Sequence, residues 1–124
     1  MNILTTSDQI IQTTNAITLP ANPPKLTFQG YINAESTWDG GVVEISTDGG
    51  TNWTDLGSRM ISGGYNGSLS ASGTNPIRGR AAFTGNSNGF VKTTIDLSTY
   101  AGQSVKFRFR FGSDASVAAS WLVC

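Results

Sequence analysis

The chain has 124 residues, with eight acidic and eight basic side chains, so its formal net charge is zero. It contains no histidine and one cysteine, Cys124, which excludes an internal disulfide and a Cys/His metal site and removes the most common general base. This charge balance predicts neither a nucleic-acid partner nor binding to an anionic membrane surface.

Residues 1–15 are interpreted as a β-prone N-terminal extension ahead of a single domain at 16–124. They have neither the basic nor the apolar region of a signal peptide, so we expect any export signal to lie outside this chain. No apolar window of about 18 residues predicts a membrane span. Two roles are open for the extension: a first strand in its own chain, or a strand added to or exchanged with a neighbouring chain.

Apolar and polar residues alternate with period two along most of the chain, which is typical of strands with one buried face. The clearest segment, Val105–Phe111, directs its valine and phenylalanines to one side and Lys106, Arg108 and Arg110 to the other. Three further strands are predicted: Leu26–Ile32, the run containing Val43 and Ile45, and Phe90–Leu97. Turn residues separate these strands, so the sequence predicts an all-β fold, an antiparallel β-sandwich.

Residues 58–88 differ from the rest because they are rich in glycine, serine and asparagine. Such a length is unusual for a plain connection in a compact domain. We expect one or two short strands within it, at 67–71 and 80–84, and a single helical turn further on at 97–102. The segment is either a functional loop or a simple insertion.

The stretch STDGGTNW has the spacing Ser-x-Asp-x-Gly-x-x-Trp, carried by Ser46, Asp48, Gly50 and Trp53. It resembles the Asp-box of sialidases and other secreted β proteins. The aspartate can accept hydrogen bonds from turn amides, and the glycines supply backbone angles that other residues resist. A sialidase needs a propeller of several blades, so we interpret this hairpin as a structural element.

A longer ordered set of motifs carries a more specific resemblance. It consists of Trp38–Trp53, Gly63–Gly67, Asp96–Gln103 and Arg108–Asp114. Over residues 16–123 the chain resembles the MAM-like jelly-roll module of secreted bacterial proteins, which follows the catalytic domain of immune-inhibitor-A-type metallopeptidases. The resemblance implies a jelly-roll sandwich. Family members usually continue beyond the tryptophan that matches Trp121, so we expect this chain to lack the last-strand residues.

Two groups of side chains are candidates for binding. Glu35, Asp39 and Asp114 offer loop carboxylates for a structural calcium ion, which jelly-roll modules similar to this one often hold. The alternative is that these are solvated loop acids. The second candidate is a polar binding face that joins the outward side chains of the sandwich: Tyr31, Glu44, Lys106, Arg108 and Arg110. The alternative is a solvated sheet face on which Glu44 pairs with an arginine.

No pair of acids marks an acid–base site, so we expect no catalytic residues and no enzymatic activity. The main hypothesis is a non-catalytic, extracellular or cell-surface module that attaches a secreted multidomain protein to a glycan or protein surface, by analogy of fold. The second is a self-assembling subunit, a filament or strand-swapped oligomer, in which the N-terminal segment completes a neighbour's sheet.

Overall fold

Two antiparallel sheets pack face to face in the computed structural model, which describes residues 2–3, 6–114 and 119–124. The described residues form twelve strands: β1 (Asn2–Ile3), β2 (Thr6–Gln12), β3 (Ile17–Thr18), β4 (Lys25–Asn33), β5 (Gly40–Ser46), β6 (Thr54–Asp55), β7 (Met60–Ser62), β8 (Gly67–Ser68), β9 (Ala81–Thr84), β10 (Val91–Asp96), β11 (Ser104–Asp114) and β12 (Ala119–Val123). Single 3₁₀ turns occur at Gly57–Arg59 and Ser98–Tyr100. This architecture confirms the predicted all-β sandwich. No helix in the described part of the chain is long and apolar enough to cross a membrane.

The two sheets differ in size and strand order. The five-stranded sheet has the order β1-β12-β4-β10-β7. The seven-stranded sheet has the order β2-β11-β5-β9-β8, with β3 also paired to β11 and β6 to β5. The longest strand, β11, therefore lies inside the seven-stranded sheet, as its apolar alternation predicts.

The core lies between the sheets and is built from the inward side chains of both. Phe107 and Phe111 of β11 are buried, as are Phe28 and Ile32 of β4. The ring of Phe28 meets that of Phe109 edge to face, with 5.1 Å between centroids. Burying each large apolar side chain contributes about 1.5–3 kcal/mol, so this alternation is the main determinant of the fold.

The outer face of β5 is covered, which the sequence did not predict. All seven residues of β5 are buried, including Val42 and Glu44 on the side away from the main core. Val42 forms a second apolar cluster with three residues from the segment 58–88, namely Leu69, Ile77 and Ala82. The segment 58–88 thus extends the sheet through β9 and β8, and its residues Leu69 and Ile77 pack over the outer side of β5 at Val42.

The predicted N-terminal extension contributes strands to both sheets in its own chain. β2 pairs with β11 along its whole length, from Thr6 opposite Asp114 to Gln12 opposite Arg108. β1 pairs with the first two residues of β12, which lies between β1 and β4. Residues 1, 4 and 5 of the extension lie outside the described residues. Exchange of these strands with a neighbouring chain stays a prediction.

Candidate functional site

The three acids predicted as metal ligands lie together at one end of the sandwich. Glu35 and Asp39 belong to the loop between β4 and β5, and Asp114 ends β11. One carboxylate oxygen from each lies within 4.8 Å of the others. Asp39 is fully buried, and its two oxygens accept the backbone N–H groups of Asp114 at 3.0 Å and Glu35 at 3.2 Å. These bonds fix the Asp39 carboxylate relative to both neighbours.

The electrostatics of this acidic cluster are unfavourable for a charged Asp39. Burial raises the pKa of the Asp39 carboxyl, and the nearby charge of Asp114 raises it further, although the two backbone N–H groups act in the opposite direction. A bound cation would offset this repulsion. The three members are all carboxylates, and oxygen ligands suit calcium, whereas zinc prefers nitrogen and sulfur. The donor set therefore fits the predicted ion.

The outward arginines of β11 are engaged with acidic side chains. Nε of Arg108 donates to Oε1 of Glu44 at 2.6 Å. Arg80, from the segment 58–88, binds Oε2 of Glu44 at 3.1 Å and Asp55 at 2.7 Å. The half-buried Tyr65 donates its hydroxyl to Asp55 at 2.7 Å, and burial raises the pKa of that hydroxyl above its usual range. These contacts attach the segment 58–88 to the sheet.

The prediction that Glu44 belongs to an open binding face is wrong. Glu44 is only 4% exposed, and its carboxylate contacts Arg108 of β11 and Arg80 of the segment 58–88. Arg110 of the same predicted face makes two hydrogen bonds to Asp8 of β2, at 2.8 and 2.7 Å. Glu44 does pair with an arginine, as the alternative expected, but at this residue the face is buried and not solvated.

Tyr31 is also not part of that face. It lies on β4 in the five-stranded sheet, whereas Lys106, Arg108 and Arg110 lie on β11 in the seven-stranded sheet. The outward sides of the two sheets point away from each other, so Tyr31 and the arginines are on opposite surfaces. Alternation within a strand predicts which side chains point outward but not to which sheet the strand belongs.

The hairpin after β5 has the internal hydrogen bonds expected of a structural turn. Oδ1 of Asp48 accepts the backbone N–H groups of Thr51 at 3.1 Å and Asn52 at 2.9 Å, and the hydroxyl of Ser46 at 2.7 Å. The bonds from Asn52 and Ser46 lower the pKa of Asp48 to about 2. The N–H of Gly50 donates to the Ser46 hydroxyl at 2.9 Å. The resemblance of this turn to an Asp-box stays a prediction.

Tyr31 instead belongs to a row of outward side chains, here called the outer stripe, which consists of the exposed Leu122 and Phe90 with the half-buried Tyr31 between them. Leu122 is the register partner of Tyr31 across β12 and β4. The rings of Tyr31 and Phe90 meet at 5.6 Å and 80°. The sequence predicts Phe90 only as the start of a strand. The apolar pair Phe90-Val91 breaks the alternation of that strand, and this break was the available signal.

An apolar cleft of about 620 Å³ adjoins the outer stripe. Residues from both sheets line it: Ile11, Leu26, Thr27, Phe28, Phe90, Phe109, Trp121, Leu122, Val123 and Cys124. Leu122 and Phe90 belong to both the cleft and the outer stripe. The apolar surface is therefore continuous from the stripe to the edge of the sandwich.

Comparison with known families gives a match over nearly the whole chain. The family model described as "Immune inhibitor A-like, MAM domain" matches residues 5–123. The match begins at residue 5, whereas the resemblance seen in the sequence began at residue 16, so it includes β2. A search of curated proteins found no match.

Proposed function

The chain belongs to the immune inhibitor A-like MAM domain family, and we propose that it is an extracellular attachment module of a larger secreted protein. The family is an accessory domain and is not itself catalytic. An accessory domain contributes by binding rather than by catalysis, so we expect this chain to act through a binding site on its surface.

The outer stripe is the observation that supports attachment most strongly. Phe90 is 52% exposed and Leu122 is 48% exposed, and both lie beside Tyr31. Neighbouring exposed apolar side chains on a folded domain mark an interaction surface. The arginines of the opposite surface are less suited, because Arg108 and Arg110 are already bound to Glu44 and Asp8.

A binding assay tests this function. The purified chain is passed over immobilised polysaccharides and over cell-surface protein fractions, and retention is measured against a matched β-sandwich domain from another family. We expect specific retention on at least one surface. Absence of retention on every surface would contradict attachment.

We also propose that Glu35, Asp39 and Asp114 hold a structural calcium ion. The ion would neutralise the acidic cluster and link the β4–β5 loop to the end of β11. The buried Asp39, with its raised pKa, supports this proposal, because its charge is costly without a cation. Calcium-dependent thermal stability tests it.

One observation favours self-assembly as a second candidate function. The N-terminal segment supplies an edge strand to each sheet. Among the described strands, β1 pairs only with β12, and β2 pairs only with β11. A terminal strand of this kind can be exchanged with a second copy at low energetic cost. Size-exclusion chromatography of the chain with and without residues 1–14 tests the idea: an oligomer that persists after the deletion contradicts exchange of this segment.

A further inference from the structure

The outer surface of the five-stranded sheet is exposed at the outer stripe. Gln29 and Asn33 on β4 are exposed on either side of Tyr31, and Leu122 is exposed on β12. The corresponding surface of the seven-stranded sheet is covered at β5 by the segment 58–88. A ligand that approaches the outer surface of the five-stranded sheet therefore contacts side chains of the sheet itself.

The outer stripe crosses three neighbouring segments of that sheet. Leu122 on β12 faces Tyr31 on β4, and Phe90 precedes β10 on the other side of β4. Since adjacent strands are about 4.8 Å apart, the three side chains span about 10 Å, the length of two sugar rings. Because the rings of Tyr31 and Phe90 are nearly perpendicular, they form a corner with one aromatic floor and one aromatic wall.

The loop that carries Phe90 is fixed to the edge of β4. The N–H of Ser87 donates to the carbonyl of Ile32 at 2.9 Å, and the N–H of Ile32 donates to the Ser87 hydroxyl at 3.0 Å. The N–H of Ala34 donates to the carbonyl of Gly85 at 2.9 Å. These bonds hold Phe90 beside Tyr31 before any ligand arrives. A preorganised pair of rings loses little conformational entropy on binding.

The charges around the outer stripe fit a neutral, hydroxyl-rich ligand. The surrounding segments 27–33, 86–92 and 120–122 contain no acidic residue, and their one cation is Lys92. A nucleic acid would need several cations in contact with its phosphates. The amides of Gln29 and Asn33 border the stripe and can both donate and accept hydrogen bonds. A lipid or an apolar protein that covered these exposed amides would bury them without partners, at a cost in free energy.

We propose that the outer stripe binds a neutral polysaccharide chain. The C–H face of a sugar ring packs on Tyr31 and Phe90, and its hydroxyl groups bond to the amides of Gln29 and Asn33. This inference rests on the proposed attachment function and names its ligand class and its residues.

Affinity electrophoresis in gels that contain a soluble neutral β-glucan, xylan or mannan tests the proposal. The full chain is compared with Tyr31→Ala, Phe90→Ala and the control Ile61→Ala, which removes an exposed side chain on β7 outside the stripe. We expect at least one polysaccharide to retard the wild type, each stripe variant to bind about tenfold more weakly, and the control to bind normally. Circular dichroism checks that all variants fold.

Three results would overturn the inference in distinguishable ways. Normal retardation of both stripe variants would show that the polysaccharide binds outside the outer stripe, while the proposed attachment function would still be supported. Binding to a protein surface, but to none of the three polysaccharides, would exclude the ligand class while attachment still stands. Failure to bind any surface would overturn the proposed function as well.

Discussion

The guanidinium of Arg108 lies 4.5 Å from the centre of the Trp53 ring. Trp53 ends the hairpin turn, and its Nε1 donates to the carbonyl of Gly50 at 3.1 Å. Since Arg108 also binds Glu44, the turn, β11 and β5 are joined through one side chain. The exposed hairpin is thus coupled to the middle of the seven-stranded sheet.

We expect Glu44→Ala to be strongly destabilising, because it leaves Arg80 and Arg108 without their buried partner. Loss of one member of a buried ion pair costs about 3–5 kcal/mol. The matched control is Asp8→Ala, which breaks the more exposed pair with Arg110 and costs less than about 1 kcal/mol. Urea denaturation measures both. An equal loss in the free energy of unfolding for the two variants would show that the ion pairs of Glu44 stabilise the fold no more than the pair between Asp8 and Arg110 does.

Gly41→Ala is expected to disturb the core. A Cβ atom at Gly41 would overlap the ring of Trp121, which is buried between the sheets. Overpacking of this kind costs about 1–3 kcal/mol. Gly64→Ala is a milder control, because its Cβ would come no closer than 3.3 Å to Cβ of Met60. Thermal unfolding followed by tryptophan fluorescence compares the two, and a smaller loss for Gly41→Ala than for Gly64→Ala would contradict this packing.

The hairpin is expected to lose stability in acid. The hydrogen bonds to Asp48 lower its pKa to about 2 in the folded chain, below the ordinary value of 3.8. The contribution of Asp48 is therefore complete above pH about 4 and is lost as the pH falls towards 2. NMR titration of the side-chain carboxyl in the intact protein measures the midpoint. A midpoint near 3.8 would show that the turn does not favour the charged form.

Calcium is expected to raise the unfolding temperature of the wild type at neutral pH. At a calcium concentration one hundred times Kd the gain in stability is about 2.7 kcal/mol. Asp114→Asn should abolish this gain and, without calcium, stabilise the chain at neutral pH by removing repulsion from Asp39. The pKa of Asp39 is raised, so the cost of its charge is absent in acid and appears as the pH rises through that pKa.

The control for this measurement is Asp96→Asn, which removes an exposed carboxylate that is not part of the acidic cluster. It should retain the calcium response in differential scanning calorimetry. If Asp114→Asn and the wild type respond equally to calcium, the acidic cluster is not the ion's site.

The sequence predicts the buried side of β11 correctly because a period of two directly encodes which side chains share a face. The same reasoning misplaces Glu44. A charged residue on the alternate face normally indicates solvent, and the covering segment 58–88 begins more than ten residues further along the chain. Period-two alternation also groups Tyr31 with the arginines of β11 on one predicted face, although they lie on different sheets. Alternation contains no information on which sheet a strand belongs to. The acidic cluster was predictable because two of its members lie in one loop.

The pairing of Thr6 with Asp114 brings together residues from near the two ends of the chain. Loop closure over such a separation slows folding, and sandwiches dominated by non-local pairs fold in milliseconds to seconds. During synthesis, β2 cannot form its hydrogen bonds with β11 until β11 has emerged from the ribosome. The sandwich can therefore close only after the segment that contains β11 has been made.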